Sequence, residues 1–222
     1  MNNIDKIFII SLNNNLDNCK KILNDHNLNN YEIINFVETY NIREEEYKNF
    51  SHKYLKFKKL INNIDEYIQI EYFIKKTLLN ILILSLEKNY NNILVLDNNF
   101  ILTENFFELF KKIFAEAENN YFGMLYLSDI NSSTNKIKFN EYLYKINGIH
   151  DNFAVCYNKR IFETLINFIT DSDCELDKIF AEYINSKYMV FVSNPILIKN
   201  YDNKKILNRF TTNIKIDLKK LI

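Results

Sequence analysis

Residues 89–107 read NYNNILVLDNNFILTENFF. The run Asn91–Leu96 is short, apolar and β-branched, and it stops on Asp97-Asn98-Asn99, which predicts a buried strand delivering a polar triplet to its carboxyl end. After an apolar stretch, Thr103 stands where a helix N-cap is expected, with Glu104 in the first turn of a helix predicted to run to about Ala117. In open α/β sheets, ligands sit beyond the carboxyl ends of the strands. The polar triplet is therefore the first place to look for a site.

The flanking sequence extends this pattern. Lys6–Leu12 (KIFIISL) reads as a buried strand closed by a polar turn of three asparagines. Leu16, Cys19, Ile22 and Leu23 fall at helical spacing within Leu16–Leu28, and Tyr31–Val37 is a second strand. Strand, helix, strand at this spacing begins a parallel sheet with a right-handed crossover. The alternation predicts a mainly parallel sheet, with the first strand at its centre and Ile93–Leu96 close by. Glu38–Asn63 reads as a long loop with a short helix, and Ile68–Leu86 as a long helix. Phe122–Leu127 is a strand, Asp129–Asn135 a polar loop, Lys136–Ile146 an exposed alternating strand and Phe153–Tyr157 a further strand. Helices are expected at Lys159–Ile169 and Leu176–Ser186, then a last strand at Tyr188–Val192, ended by Pro195. From Tyr201 the charge rises and periodicity fades, so the expected division is one domain over 1–200 and a tail over 201–222, without internal repeat or interdomain linker. Tyr72, Phe73, Phe106, Phe107 and Phe110 fall at helical spacing and are expected in the core.

Composition narrows the function classes. The 222 residues are 47% hydrophobic and 15% aromatic, enough for one sizeable core and too apolar for a disordered chain. Lys+Arg and Asp+Glu each total 28, so no global field favours nucleic acid or an anionic surface, although Lys53, Lys56, Lys58 and Lys59 form a local patch. Only two glycines are present, Gly123 and Gly148, so a P-loop, a GxGxxG fingerprint and a kinase phosphate loop cannot be built. The scattered histidines propose no metal cluster. Cys19, Cys156 and Cys174 form neither a CxxC pair nor a disulfide framework, which points to a reducing, cytoplasmic setting. Neither a signal peptide nor an apolar run long enough to span a bilayer is visible. Asparagine supplies roughly one residue in six, far above ordinary usage, as coding from an AT-rich genome would produce.

Asn89–Phe107 resembles the corresponding segment of the family 25 glycosyltransferases, the lipopolysaccharide and procollagen galactosyltransferase type, where an Asn-Tyr-x-x-Ile-Leu-Ile approach leads to Leu-Glu-Asp-Asp-Val. Ile7–Leu12 with Leu16-Asp17-Asn18 is similar to the family's opening strand and turn. Gly148–Lys159 (GIHDNFAVCYNK), Leu176-Asp177 and Tyr188–Leu197 (YMVFVSNPIL) look like its later strand, acidic helix start and closing strand. The pattern covers about residues 4–200. The resemblance implies a GT-A-like α/β fold and transfer of a sugar from a nucleotide-sugar donor, UDP-linked in the first instance, to a glycan or protein acceptor. It also implies Mn²⁺ or Mg²⁺ bound by carboxylates, the cation neutralising the diphosphate leaving group, with another carboxylate deprotonating the acceptor hydroxyl.

The sequence departs from that pattern where charge matters most. Asp97-Asn98-Asn99 stands for Glu-Asp-Asp, leaving one of three carboxylates, so metal held by Asp97 and Asn99 is expected to be weak or absent. Asn13, Asn14, Asn15 and Asn18 stand where basic residues are usual, and Phe73–Leu78 lacks the family's Gly and His. Two readings follow: a working transferase with weak or no metal, or a degenerate homologue that binds or assembles without turnover. Asp97, Asn98, Asn99, Ser128 and Asp129 are the candidate donor contacts, and Asp177 is the candidate catalytic carboxylate. Each has a plainer reading as well. The Asp97–Asn99 triplet suits a turn, Asp177 suits a helix N-terminus, and Ser128 and Asp129 merely end a strand.

Overall fold

The computed structural model describes residues 3–11, 16–35, 47, 49–51, 64–129, 135–147, 154–172 and 176–200. The expected loop and short helix over 38–63, the Lys53–Lys59 patch and the 201–222 tail lie mostly or wholly outside these residues.

The elements are β1 (Lys6–Ser11), α1 (Asp17–Asp25), β2 (Tyr31–Asn35), α2 (Ile64–Glu87), β3 (Asn92–Asp97), β4 (Phe100–Leu102), α3 (Phe106–Asn119), β5 (Phe122–Tyr126), β6 (Asn135–Lys138), β7 (Leu143–Asn147), β8 (Ala154–Asn158), α4 (Phe162–Asp171), α5 (Leu176–Ile179), β9 (Met189–Ser193) and β10 (Ile198–Asn200). A 3₁₀ turn, Lys159–Ile161, leads into α4, and a π-helical turn, Phe180–Ile184, continues α5. The architecture is α/β, as expected. One eight-stranded sheet has the order β2-β1-β3-β8-β5-β9-β7-β6, and a small ribbon pairs β10 with β4. The strands β2, β1, β3, β5, β9 and β6 run one way, while β8 and β7 run the other.

Pleat alternation divides the core into two layers. Leu94 and Leu96 of β3, Leu125 of β5 and Cys156 of β8 pack with Cys19 and Leu23 of α1 and with Phe106, Phe110 and Phe114 of α3. Ile93 and Val95, Met124 and Tyr126, and Val155 and Tyr157 face the other way. They meet Leu78 and Leu82 of α2, Phe162 and Leu165 of α4, and Leu176 and Ile179 of α5. Helices therefore cover both faces of the sheet, and β3 is buried along its whole length.

Several expectations need correction. β1 is not central: it lies one strand in from the edge, and the antiparallel β8 is inserted between β3 and β5. The single strand expected over Lys136–Ile146 is a hairpin. Asn140 turns it, its side-chain oxygen accepting from the backbone N–H groups of Tyr142 (2.9 Å) and Leu143 (2.8 Å), an Asx turn that alternation alone does not reveal. Thr103 is not the cap of α3. The N-cap is Asn105, in the left-handed region at φ 58° without a side-chain cap bond, while the Thr103 hydroxyl donates to the Leu197 carbonyl (3.0 Å). The intervening residues form β4, which pairs with β10, a strand whose three residues are too few to show a period. Tyr72, Phe73, Phe106 and Phe110 are buried as expected, but Phe107 is 37% exposed and leans on the His26 ring at 5.3 Å.

Candidate functional site

The strands end alike at the carboxyl edge of the sheet. Apolar runs close on one small polar residue: Ser11 on β1, Asp97 on β3, Ser128 after β5 and Ser193 on β9. All four are buried, as is Asn98. The edge therefore holds five buried polar side chains at the place where ligands enter open α/β sheets. Sequence reading singled out Asp97, Asn98 and Ser128 but missed Ser11 and Ser193. Their only signal is this repeated ending, visible once the four strands are aligned side by side.

Asp97 is fixed from both sides. Ile10 of β1 is its register partner, the Asn98 N–H donates to the Ile10 carbonyl (3.2 Å), and the Asp97 carboxylate accepts from the Asn99 N–H at 3.0 Å. Alternation along β3 puts Asp97 on the face of Ile93 and Val95, under α2, α4 and α5. Continuing the alternation of β5 puts Ser128 on that same face, after Met124 and Tyr126. The start of β8 separates the two: Ala154 is the register partner of Leu96, and the Leu127 N–H donates to the Ala154 carbonyl (2.9 Å). Two inter-strand spacings, about 10 Å, thus lie between the Asp97 and Ser128 positions. That span suits a bound molecule better than a direct bond. The Ser128 hydroxyl has no hydrogen-bond partner among the described residues, although the residue is only 3% exposed. A buried hydroxyl without a partner is costly in a finished core and calls for an explanation, a bound ion or ligand among them.

Asp177 opens α5, whose Leu176 and Ile179 belong to the layer on this same face. The Tyr157 phenol is held well above its ordinary range, chiefly by burial and then by the charge of Asp177; Tyr157 is the register partner of Ile93, four residues before Asp97 on β3, so this effect ties Asp177 to the sheet face and not to the Asp97 end of it. Asp129 is placed differently. It is exposed and forms a 2.7 Å ion pair with Lys136 of β6, so the structure does not gather it into the buried group.

Mn²⁺ or Mg²⁺ prefers several anionic oxygens. The donors at the triplet are one carboxylate, Asp97, and the carboxamides of Asn98 and Asn99, with Asn98 only 2% exposed. No group of three His, Cys, Asp or Glu side chains able to hold a metal occurs among the described residues. This donor set does not fit a divalent cation held by protein charge.

No model of a protein family matches the chain, and no curated protein matches it either. Solved structures similar in outline include A197 from STIV (12% identity, TM-score 0.45, covering 90% of this chain and 95% of that one). A glycosyltransferase involved in the glycosylation of the major capsid of PBCV-1 matches at 10% identity and TM-score 0.44, covering 92% of this chain and 96% of that one. Mannose-1-phosphate geranyltransferase from Thermus thermophilus matches at 8% identity and TM-score 0.40, covering 94% and 79% respectively. At these scores the functional reading rests on the site itself. Among the described residues no helix is long and apolar enough to cross a membrane.

Proposed function

We propose that the chain is a glycosyltransferase of GT-A type that moves a sugar from a nucleotide-sugar, UDP-linked in the first instance, to a hydroxyl of a glycan or protein acceptor. The observation that carries the reading is the pair of buried polar groups, Asp97 and Ser128, on one sheet face at the carboxyl edge, with the Ser128 hydroxyl unpartnered among the described residues. The family 25 resemblance of residues 4–200 points to the same edge. In this reading Asp97, Asn98, Asn99 and Ser128 contact the donor and Asp177 receives the acceptor's proton. The acceptor oxygen bonds to the sugar's anomeric carbon as the bond to the diphosphate breaks, and the electron pair of that bond leaves with the nucleoside diphosphate. Asp129 is a weaker candidate contact, since its carboxylate already answers Lys136.

A second reading, binding without turnover, is favoured by the single carboxylate at the triplet. The two separate cleanly by experiment. The full chain, mixed with UDP-, GDP- and CMP-sugars, should release free nucleotide from one donor class, and Asp97→Ala should abolish the release. Binding of a nucleotide-sugar with no release from any of them would instead establish the binding module.

A further inference from the structure

A hydroxyl inside a helix has a ready partner, the carbonyl four residues back. Helix α2 buries two hydroxyl residues, Thr77 and Ser85, and they differ. The Ser85 hydroxyl donates to the Ile81 carbonyl at 2.6 Å. The Thr77 hydroxyl, on a residue only 1% exposed, has no hydrogen-bond partner among the described residues, the Phe73 carbonyl included. We infer that Thr77 is a further binding residue of the carboxyl-edge site, where with Asp97 and Ser128 it holds the hydroxyl groups of a sugar ring of the nucleotide-sugar. This inference rests on the nucleotide-sugar reading above and names the part of the donor that these side chains take.

Two observations place Thr77 at that edge. The first is the path of the chain. Helix α2 ends at Glu87 and β3 begins at Asn92, so after a short turn the strand runs back against the helix. Thr77 lies ten residues before Glu87, about 15 Å along the helix. Asp97 lies five residues after Asn92, about 17 Å along the strand. The two are therefore level. Thr77 also shares its helix face with Ile74 and Ile81, which pack in the layer that holds Ile93 and Val95, the face on which Asp97 and Ser128 stand. The second observation is a tie from α2 to α4. The Lys75 ammonium donates to the Ser172 carbonyl, just beyond the end of α4. Because α4 starts from the amino end of the sheet, where Asn158 is paired with Asn92, its last residues reach the carboxyl end.

The chemistry of the group follows. Burying an unpartnered hydroxyl costs free energy, and threonine is a poorer helix former than alanine, so packing alone does not account for Thr77. Asp97 offers acceptors only, while the Thr77 and Ser128 hydroxyls each donate and accept. Sugar hydroxyls also donate and accept, and so can satisfy all three side chains. A diphosphate offers only acceptors and a negative charge that Asp97 repels. Two rings of a nucleotide-sugar carry the matching chemistry, the ribose and the transferred sugar.

Calorimetric titration of the full chain tests the inference, using whichever of the UDP-, GDP- and CMP-sugars the wild type binds and the corresponding free nucleotide. Thr77→Val keeps the side-chain shape and removes the hydroxyl. It should bind the nucleotide-sugar about tenfold more weakly while melting at or above the wild-type temperature, and Thr77→Ser should bind nearly as the wild type does. Ser85→Ala should do the reverse, melting earlier and binding like the wild type. An equal loss for nucleotide-sugar and free nucleotide assigns Thr77 to the ribose, and a loss confined to the nucleotide-sugar assigns it to the transferred sugar. Wild-type affinity in Thr77→Val overturns the inference, and the partner of the hydroxyl is then an internal water. A loss of binding accompanied by early melting, in Thr77→Ser as in Thr77→Val, overturns it too, because the residue then acts on the fold. If the wild type binds no nucleotide-sugar, the nucleotide-sugar reading fails first and the inference falls with it.

Discussion

The two ends of the sheet treat buried polar groups in opposite ways. At the amino end, the Asn158 side-chain N–H donates to the Asn92 side-chain oxygen at 2.8 Å, and the Asn158 oxygen accepts from the Arg160 N–H at 3.1 Å. The Asp5 carboxylate accepts from the N–H groups of Asn91 (2.7 Å) and Asn92 (2.9 Å), stapling β1 to β3. Partners come from within the fold, and the contacts are finished. At the carboxyl end, the buried Ser128 and Ser193 hydroxyls have no partner among the described residues. Buried polar residues occur at both ends, Asn92 and Asn158 at one and Ser11, Asp97, Asn98, Ser128 and Ser193 at the other, so their presence alone does not distinguish the ends. The difference lies in whether the fold completes the hydrogen bonds. A completed network holds the structure together, and an incomplete one leaves capacity for a ligand.

Substitutions at the amino end should therefore act on stability. Asn158→Ala strips the Asn92 oxygen and the Arg160 N–H of their partner, and should cost about 2–3 kcal/mol in chemical denaturation. A loss below about 0.5 kcal/mol would mean that water or a neighbouring group replaces it, and the contrast between the ends would weaken.

Gly123, near the amino end of β5, sharpens the same contrast by packing. A Cβ there would lie 2.6 Å from Ile161 Cγ2 and 3.0 Å from Tyr188 Cβ, and Ile161 is fully buried. Gly123→Ala should destabilise by about 1–3 kcal/mol through overpacking. A neutral effect in denaturation would show that the Lys159–Ile161 turn yields easily.

The alkaline limb of stability comes next. Burial pushes the Cys19 thiol up from its ordinary value near 9 to about 11. The folded chain therefore keeps this proton at pH values where the unfolded chain has released it. Its contribution is fully present below pH 9 and is lost as pH rises through 11, with a slope of at most about 1.4 kcal/mol per pH unit for this one group. Cys156 and Tyr157, both raised by burial, add to the fall from their ordinary values of 9.0 and 10.0 upward. Denaturation midpoints measured across the alkaline range should fall, and Cys19→Ala should fall less steeply. Parallel slopes for the two proteins would show that Cys19 ionises freely in the fold.

Ser128→Ala is expected to change stability least, within about 0.5 kcal/mol, because the hydroxyl it removes makes no bond to the described residues. A loss of about 2 kcal/mol, as for a bonded buried hydroxyl, would show that Ser128 already has a partner.

Much of this was legible in the residues. The apolar run Ile93–Leu96 closing on Asp97 identified a buried strand and the polar triplet at its carboxyl end, because burial on both faces demands continuous hydrophobicity. Strand order was not legible. Nothing local in Ala154–Asn158 announces that β8 runs antiparallel between β3 and β5, since pairing partners are chosen by the whole sheet. The Thr103 reading failed for a related reason: a hydroxyl suited to capping a helix serves a carbonyl 94 residues away, and three-residue strands such as β4 are invisible to periodicity. Asp129 and Ser128 looked equivalent in sequence. Only the exposed ion pair with Lys136 and the buried, unpartnered hydroxyl separate them.

The central claim is that the carboxyl end binds and the amino end stabilises. Calorimetric titration of wild type, Ser128→Ala and Asn158→Ala with the nucleotide-sugar that the wild type accepts, at a temperature where all three are folded, tests it most directly. The account predicts that Ser128→Ala binds about tenfold more weakly although it melts like the wild type, and that Asn158→Ala binds like the wild type although it melts earlier. Wild-type affinity in Ser128→Ala together with lost binding in Asn158→Ala would contradict the account.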